Sequence, residues 1–316
     1  MKIRWLLETA LIIMFSFPVA VLPHKIALKV GEILGLSVFY IWGSRRRIAV
    51  ENIEKAMGNS LQPLAISNQP LAVSIARETF KNLGRSFAEI IKIYCGLGKS
   101  IIDNVEVRGV AHYMKAKSKD KGVIFITGHC GNWELMALAF GVKVDNVSVV
   151  ARTQNNPYLN RLVENIRAKY GNNVIYKKGA LKGILSELKK NRGIGILMDQ
   201  AVLKDEGYVI DFLGRPAWTT KVPALMARKT DAAVIPIFIN RVSESANHKH
   251  IINIYPEVNL SIDEDAETGS PKSRKTFWGG EKAIIEDTRR FSGFIEDYIK
   301  EHPTEWLWIH KRWKRA

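Results

Sequence analysis

The chain has 316 residues, enough for one large domain or two small ones with a buried core. Its composition, 47% hydrophobic and 25% charged residues, excludes a disordered, collagen-like or low-complexity protein. The net charge of +16 predicts an anionic partner, which could be nucleic acid, lipid headgroups or an acidic protein. Its two cysteines, Cys95 and Cys130, lack CxxC spacing, which disfavours a disulfide framework and a zinc ribbon.

The amino-terminal segment predicts membrane attachment. A basic start is followed by a mostly apolar stretch at 5–23, and a second apolar run at 33–42 ends in three arginines at 45–47. The uncharged residues 9–23 would form a helix about 22 Å long, short of the roughly 30 Å hydrocarbon core. We therefore expect residues 1–47 to anchor the chain, as a tilted short span or a monotopic hairpin, and residues 48–316 to form the main domain. A pair of buried core helices is the alternative.

From residue 122 onward, strand and helix patterns alternate. Short β-branched runs predict strands at 122–127, 147–150, 193–198, 233–239 and 251–255. Helical periodicity predicts helices at 72–94, 157–170, 181–188 and 284–299, and residues 261–275 are polar and loop-like. This alternation predicts an α/β fold with a central, mostly parallel sheet flanked by helices.

A histidine and a glutamate follow the strand at 122–127. The carboxyl ends of parallel strands form the functional crevice of open α/β sheets, and His129 should lie there. We expect Glu134 to accept a hydrogen bond from the Nδ1–H of His129, leaving Nε2 free to take a proton from a hydroxyl. Asn132 is a natural N-cap for the next helix, whose free N–H groups offer positive potential to an anion. Alternatively, Glu134 only complements the helix dipole.

Five blocks in the sequence, in the same order, resemble the late acyltransferases of lipid A biosynthesis, within the H-x4-D/E acyltransferases. The first block is the string 129–134, HCGNWE. The others are RTQNNP at 152–157, MDQ at 198–200, FLGRPA at 212–217 and WLWIHKRW at 306–313. The resemblance extends over most of the chain, including the apolar amino terminus.

This resemblance implies transfer of an acyl chain from an acyl thioester, on acyl carrier protein or coenzyme A, to a hydroxyl of a lipid A precursor. No cofactor or metal is implied; the partners would be acyl carrier protein, an anionic glycolipid and the cytoplasmic face of the inner membrane. The implied catalytic residues are His129, Glu134 and Arg152. For the oxyanion of this reaction, Arg152 and backbone N–H groups near Gly131 are candidate donors. Residues implied in substrate binding are Asn132, Asn155, Asp199, Gln200 and Arg215. Asp199 could instead be a structural hydrogen-bond acceptor.

Several rival functions stay open at this point. Another glycolipid acceptor, such as a phosphatidylinositol mannoside, is the alternative within the same chemistry, and a basic lipid-binding protein without activity is the alternative outside it. Nucleic acid is disfavoured because Lys and Arg are spread along the chain and no recognition motif occurs. A metal-dependent hydrolase could be assembled on paper from His129, Asp199, Asp211 and His248, but the sequence has no HExxH.

Two further segments carry predictions. The polar stretch 243–250, with the H-x-H at 248–250, is interpreted as a solvated hairpin connection. Near the carboxyl end Trp306, Trp308, His310 and Arg312 recur at period two, which predicts an extended segment with its aromatic side chains at a membrane interface or in the wall of an acyl-chain groove.

Overall fold

The computed structural model describes residues 2–61, 71–242, 249–262 and 280–314. The helices before the sheet are α1 (Lys2–Val21), α2 (His24–Ile41), α3 (Gly43–Leu61), α4 (Leu71–Tyr94) and α5 (Lys99–Asp103). The later helices are α6 (Val110–Lys117), α7 (Trp133–Lys143), α8 (Pro157–Lys169), α9 (Ala180–Lys189), α10 (Val222–Thr230) and α11 (Glu281–Glu301). Short 3-10 helices cover Lys204–Glu206 and Pro303–Glu305.

Within the described residues, seven strands form one central sheet: β1 (Glu106–Arg108), β2 (Val123–Thr127), β3 (Val147–Ala151), β4 (Asn173–Tyr176), β5 (Gly193–Leu197), β8 (Ala233–Arg241) and β9 (His250–Ile254). Their order in the sheet is β1-β9-β8-β2-β5-β3-β4. The neighbours from β8 to β4 pair in parallel, β9 is antiparallel to β8, and β1 is parallel to β9. The mostly parallel α/β fold expected from the sequence is therefore confirmed.

The central strands read as apolar runs because helices cover both faces of the sheet. Ile124 and Ile126 of β2 face one core, which also contains residues of α3, α4, α9, α10 and α11. Val123 and Phe125 of the same strand face a second core, against α5, α6 and α7. The alternation of side chains along a strand thus divides one continuous apolar segment between two cores.

The helix α2 packs closely on α4 through glycines. A Cβ at Gly31 would lie 2.4 Å from the carbonyl oxygen of Gly84, and a Cβ at Gly35 would lie 2.1 Å from that of Phe80. Because α2 is held this closely, it belongs to the same helical layer as α4. The following helix α3 begins at Gly43, so it runs through the boundary at residue 47 that the sequence predicts.

Only part of the amino-terminal region has the character of a membrane segment. Among the described residues, one helix is by itself long and apolar enough to cross a membrane, Ile3–Val21. Only 17% of its 18-residue apolar stretch is buried. Helices α2 and α3 meet the same criterion only as a pair, and the pair is bent by 92°. The apolar first helix is thus a candidate membrane segment, as expected.

The remaining strands escape sequence reasoning for local reasons. β1 has three residues, and β4 is an edge strand that begins with a polar asparagine. The hairpin of β6 (Gly207–Phe212) and β7 (Arg215–Thr220) contains Pro216 and alternates polar and apolar residues. It turns through Leu213 and Gly214, both with positive φ (52° and 73°), as a two-residue hairpin loop requires. The FLGRPA block is therefore largely this turn.

The polar connection predicted at 243–250 needs one correction. Residues 243–248 lie outside the described part of the chain, as do 263–275 of the predicted polar loop. His250, however, is the first residue of β9 and is buried, with Nε2 2.9 Å from Glu89 Oε1. Its placement as part of a solvated connection is wrong because the strand begins one residue before the apolar run.

Candidate active site

His129 and Asp199 meet because they follow neighbouring parallel strands. Thr127 of β2 is in register with Leu197 of β5, and the Met198 N–H continues the ladder by donating to the Thr127 carbonyl at 3.0 Å. The residues immediately beyond these strand ends therefore share one edge of the sheet. The sequence placed both side chains at strand ends, and the structure brings them together.

Asp199 orients the His129 imidazole. Its Oδ1 lies 2.8 Å from His129 Nδ1, and its Oδ2 accepts the His129 backbone N–H at 2.8 Å. The Trp306 indole N–H donates to the same Oδ2 at 2.8 Å. Burial by itself would raise the pKa of this carboxyl, which is only 2% exposed, but His129 and these hydrogen bonds lower the pKa to about 2. Ionised Asp199 therefore fixes the tautomer with its proton on Nδ1.

The other ring nitrogen of His129 faces the cavity described below. Its Nε2 lies 3.1 Å from Gln200 Nε2, an amide nitrogen that can donate to an unprotonated imidazole. The ring packs edge-on against Trp133, with centroids 5.1 Å apart, and the side chain keeps 18% exposure. Such an imidazole has an oriented, accessible lone pair, as a general base needs.

Glu134 does not orient His129, contrary to the sequence-based prediction. Its Oε1 accepts from Arg167 Nε at 2.8 Å and its Oε2 accepts from Arg167 Nη2 at 2.7 Å, a two-point ion pair. The Tyr94 hydroxyl also donates to Oε1, at 2.8 Å. Burial and the adjacent Glu134 carboxylate raise the pKa of Tyr94. Glu134 is the second residue of α7, and its carboxylate is directed to Tyr94 of α4 and Arg167 of α8. Asp199 lies two residues beyond the end of β5 and reaches the imidazole.

Asn132 supports the loop from inside the protein. Its side-chain oxygen accepts the Leu135 N–H at 3.2 Å, the predicted N-cap of α7, and its amide donates to Glu89 Oε2 at 2.9 Å. Glu89 is fully buried and also pairs with Arg241, at 2.6 and 2.9 Å, and with His250. Asn132 is only 3% exposed, its polar atoms are engaged and it lies outside the lining of the cavity described below, so its role in substrate binding stays a prediction.

A cavity of about 970 Å³ opens beside His129. Its polar lining residues include Glu134, Arg152, Arg167 and Gln200. Much of the rest is apolar, with lining residues that include Phe140, Val149, Ile184, Ile196, Val202 and Leu225. The volume lies at the upper end of the range for ligand sites and suits a long apolar chain with a polar reacting group.

The other predicted site residues divide between the cavity and its surroundings. Arg152 is exposed and lines the cavity, while Asn155 is exposed and lies outside the lining. Arg215 also lies outside it, and its guanidinium is 4.2 Å from the ring centre of Trp313. The predicted oxyanion donor Gly131 is already occupied, because its N–H donates to the Glu305 carbonyl at 2.9 Å. Arg152 and the other backbone N–H groups near Gly131 stay predicted donors.

The carboxyl-terminal segment is a buried support for the site, not a membrane surface. Trp306 and Trp308 are 1% and 0% exposed, and Arg312 is fully buried, with Nη2 bonded to Thr219 Oγ1. The Leu307 N–H donates to the His129 carbonyl at 3.1 Å. The predicted aromatic interface is wrong because the segment forms an isolated bridge and turns, which send both indoles inward.

Three contributors to the site were missed from the sequence. Arg167 and Tyr94 hold Glu134, and Trp306 holds Asp199. Arg167 and Tyr94 sit in amphipathic helices, where a charged or aromatic residue has no distinguishing signal. Trp306 carries no local signal for this contact, because its indole reaches Asp199 only through long-range packing.

No group of three or more His, Cys, Asp or Glu side chains is arranged for a metal ion in the part of the chain that the structure describes. The His248 of the four-residue metal site considered above lies outside that part.

The fold and the site define an α/β enzyme in which a carboxylate-oriented histidine lies beside a large, mostly apolar cavity. Residues 2–315 match the family model described as bacterial lipid A biosynthesis acyltransferase, and the chain belongs to this family. It is therefore an O-acyltransferase of the lipid A biosynthesis family.

Several characterised proteins are similar to this chain at low identity. The lipid A biosynthesis lauroyltransferase of Escherichia coli K12 is 23% identical over 294 residues, covering 93% of this chain and 87% of that protein. The lipid A biosynthesis acyltransferase of Haemophilus influenzae is 23% identical over 240 residues, covering 72% and 67%. A phosphatidylinositol mannoside acyltransferase of Mycobacterium tuberculosis is 22% identical over 191 residues, covering 59% and 58%.

Proposed function

We propose that this enzyme moves a fatty acyl chain from an acyl thioester, with acyl carrier protein as the donor, to a hydroxyl of a lipid A precursor. The observation that carries the proposal is the His129–Asp199 pair beside the apolar cavity. Family membership supports acyl transfer in lipid A biosynthesis, and the cavity supports a long-chain acyl group.

His129 is the proposed general base. With Nδ1–H held by Asp199, Nε2 takes the proton of the acceptor hydroxyl, which displaces the Gln200 amide from that nitrogen. The hydroxyl oxygen attacks the thioester carbonyl carbon, the C–S bond breaks, and the imidazolium returns the proton to the leaving thiolate. Asp199 stabilises the imidazolium between these two proton transfers.

Two arginines supply positive charge around this reaction. Arg152, at the end of β3, is the proposed donor to the oxyanion of the tetrahedral intermediate. Arg167, which pairs with Glu134 in the cavity lining, is the proposed partner of an anionic group of the acceptor. A surplus of basic residues over the whole chain would also attract acidic carrier protein and anionic headgroups at the cytoplasmic face of the inner membrane.

Acyl transfer by purified protein tests the proposal. Wild-type enzyme in detergent, given an acyl-carrier-protein thioester and a phosphorylated disaccharide bearing 3-hydroxyacyl chains, should add one acyl chain by mass spectrometry. The His129→Ala variant should lose roughly 10³-fold or more in kcat, because the base is gone. His112→Ala, which removes an exposed histidine of α6, is the matched control and should keep wild-type activity.

Near-wild-type turnover by His129→Ala would contradict the mechanism. The acceptor is tested separately, since a phosphatidylinositol mannoside relative shares part of the sequence. Acylation of a phosphatidylinositol mannoside in preference to the disaccharide would contradict the proposed acceptor and leave the role of His129 in place.

A further inference from the structure

The helix α1 has an apolar surface that the protein leaves uncovered. Exposed side chains run along most of its length and include Leu7, Leu11, Met14, Phe15 and Phe17. Only 17% of its 18-residue apolar stretch is buried, so α1 is not a core helix. A continuous apolar surface of this kind requires a partner, and acyl chains of a bilayer fit a helix flanked by basic residues.

The start of α1 is fastened to the catalytic unit by Asn156. Its amide nitrogen donates to the carbonyl of Trp5 and to the hydroxyl of Thr9, each at 3.0 Å. Its oxygen accepts from the N–H groups of Tyr158 and Leu159 as the N-cap of α8. Asn156 is 3% exposed and Thr9 is also buried, so these bonds lie on the inner face of α1.

The end of α1 is fastened to the same unit by Lys92 of α4. Its Nζ donates to the carbonyls of Ala20 and Leu22, each at 2.6 Å. These carbonyls would otherwise lack helical partners at the C-terminus of α1, where a cation is favourable. Ala20 also packs in a small apolar core with Ala88 and Ile91 of α4.

Fastening at both ends limits how α1 can enter a membrane. Trp5 and Ala20 lie about 22 Å apart along a helix, and both touch elements of the catalytic unit. A crossing helix places its ends on opposite sides of a hydrocarbon core roughly 30 Å thick. We propose that α1 does not cross the bilayer but lies along one leaflet, with its exposed apolar face in the acyl chains and the catalytic unit beside the headgroups.

The basic and aromatic residues at the helix ends agree with this placement. Arg4 lies 5.5 Å from the Trp5 ring, and Arg45 lies 5.3 Å from the Trp42 ring, an arrangement suited to the interface between headgroups and acyl chains. Lys25 is exposed just after the turn that follows α1. With α1 along one leaflet, all of these cations lie at the same membrane surface. A crossing α1 would instead put Arg4 and Lys25 on opposite sides of the bilayer.

Cysteine accessibility in sealed membrane vesicles tests the placement of α1. Arg4→Cys and Lys25→Cys are introduced singly into the full-length chain carrying Cys95→Ser, and the vesicles are treated with a membrane-impermeant maleimide. Cys95 of the wild-type chain, which is exposed, reports the side of the catalytic unit, and Ser44→Cys at the start of α3 is the matched control. All substituted positions are exposed, and an unchanged thermal unfolding midpoint verifies folding.

The placement predicts that Arg4→Cys, Lys25→Cys and Cys95 are all labelled from the same side and in vesicles of the same orientation. Labelling of Arg4→Cys and Lys25→Cys from opposite sides would overturn it, as would protection of either cysteine from both sides until detergent is added. The readout does not use the reaction, so it stands apart from a failure of the proposed acceptor or mechanism.

Discussion

Two carboxylates close to His129 in sequence or in space, those of Glu134 and Asp199, are held in different ways. Asp199 is buried and accepts three hydrogen bonds, two of them from His129 itself. Glu134 lines the cavity, and both of its oxygens accept hydrogen bonds from Arg167. One of these oxygens also accepts from the Tyr94 hydroxyl. The glutamate of the motif and the carboxylate that accepts a hydrogen bond from the histidine ring are therefore different residues. In the proposed mechanism, Asp199 sets the tautomer of the base, and Glu134 sets the position of a cation.

Removal of the Asp199 charge should have the largest effect. Asp199→Asn places an amide donor near His129 Nδ1, which favours the opposite tautomer and blocks Nε2 as a base. We expect kcat to fall roughly 10³–10⁴-fold, as in comparable histidine–carboxylate pairs. Steady-state acyl transfer with purified variants measures it. Asp145→Asn, which alters a carboxylate bonded to Tyr113 and Lys117 outside the site, should change kcat little. A kcat within tenfold of wild type for Asp199→Asn would show that Asp199 is not the partner.

Removal of the Glu134 charge should have a smaller effect of another kind. Glu134→Gln keeps the volume but leaves the partly buried Arg167 without its counter-charge, at a cost of about 1–3 kcal/mol in stability. We expect the KM for the anionic acceptor to rise about tenfold, with a smaller loss in kcat. Asp287→Asn, which breaks a buried pair with Arg228 away from the site, should lower stability without raising KM. If Glu134→Gln lost kcat as severely as Asp199→Asn, the distinction between the two carboxylates would fail.

The lowered pKa of Asp199 predicts a pH dependence of stability. Its pKa falls from the ordinary 3.8 to about 2, so the unfolded chain binds this proton more readily than the folded protein. Ionised Asp199 therefore stabilises the fold above about pH 4, by about 2 kcal/mol, and this contribution is lost as the pH falls toward 2. Unfolding midpoints of wild type and Asp199→Asn between pH 5 and 2 test it. A stability difference between them that stays constant over this range would contradict the predicted shift.

The indole donor to Asp199 should give the smallest effect. Trp306→Phe removes one charge-assisted hydrogen bond, worth about 1.5 kcal/mol, and we expect roughly a tenfold loss in kcat. Trp308→Phe is the control, because the Trp308 indole donates to the Pro303 carbonyl and not to Asp199. Equal losses in kcat for the two variants would mean that Trp306 acts only through packing.

The sequence predicts the fold and the position of the candidate base His129, but it assigns the hydrogen-bond partner of the imidazole to the wrong carboxylate. Strand runs at 122–127 and 193–198 carry a strong apolar signal, so the positions of His129 and Asp199 at strand ends follow from pattern alone. The order of the strands in the sheet does not follow from the pattern. Only the adjacency of β2 and β5 shows that Asp199 meets the imidazole. Proximity in sequence favoured Glu134, but the first turn of α7 directs it toward Arg167. The inward turn of Trp306 depends on long-range packing that no local pattern encodes.

The state of the His129 ring is the most direct measure of this account. In ¹⁵N-histidine-labelled enzyme, the proton resonance of His129 Nδ1–H, assigned by its loss in His129→Ala, should lie far downfield, because Asp199 accepts that hydrogen bond. It should persist in Glu134→Gln and disappear in Asp199→Asn. Disappearance in Glu134→Gln with persistence in Asp199→Asn would contradict the assignment of Asp199 as the residue that orients the base.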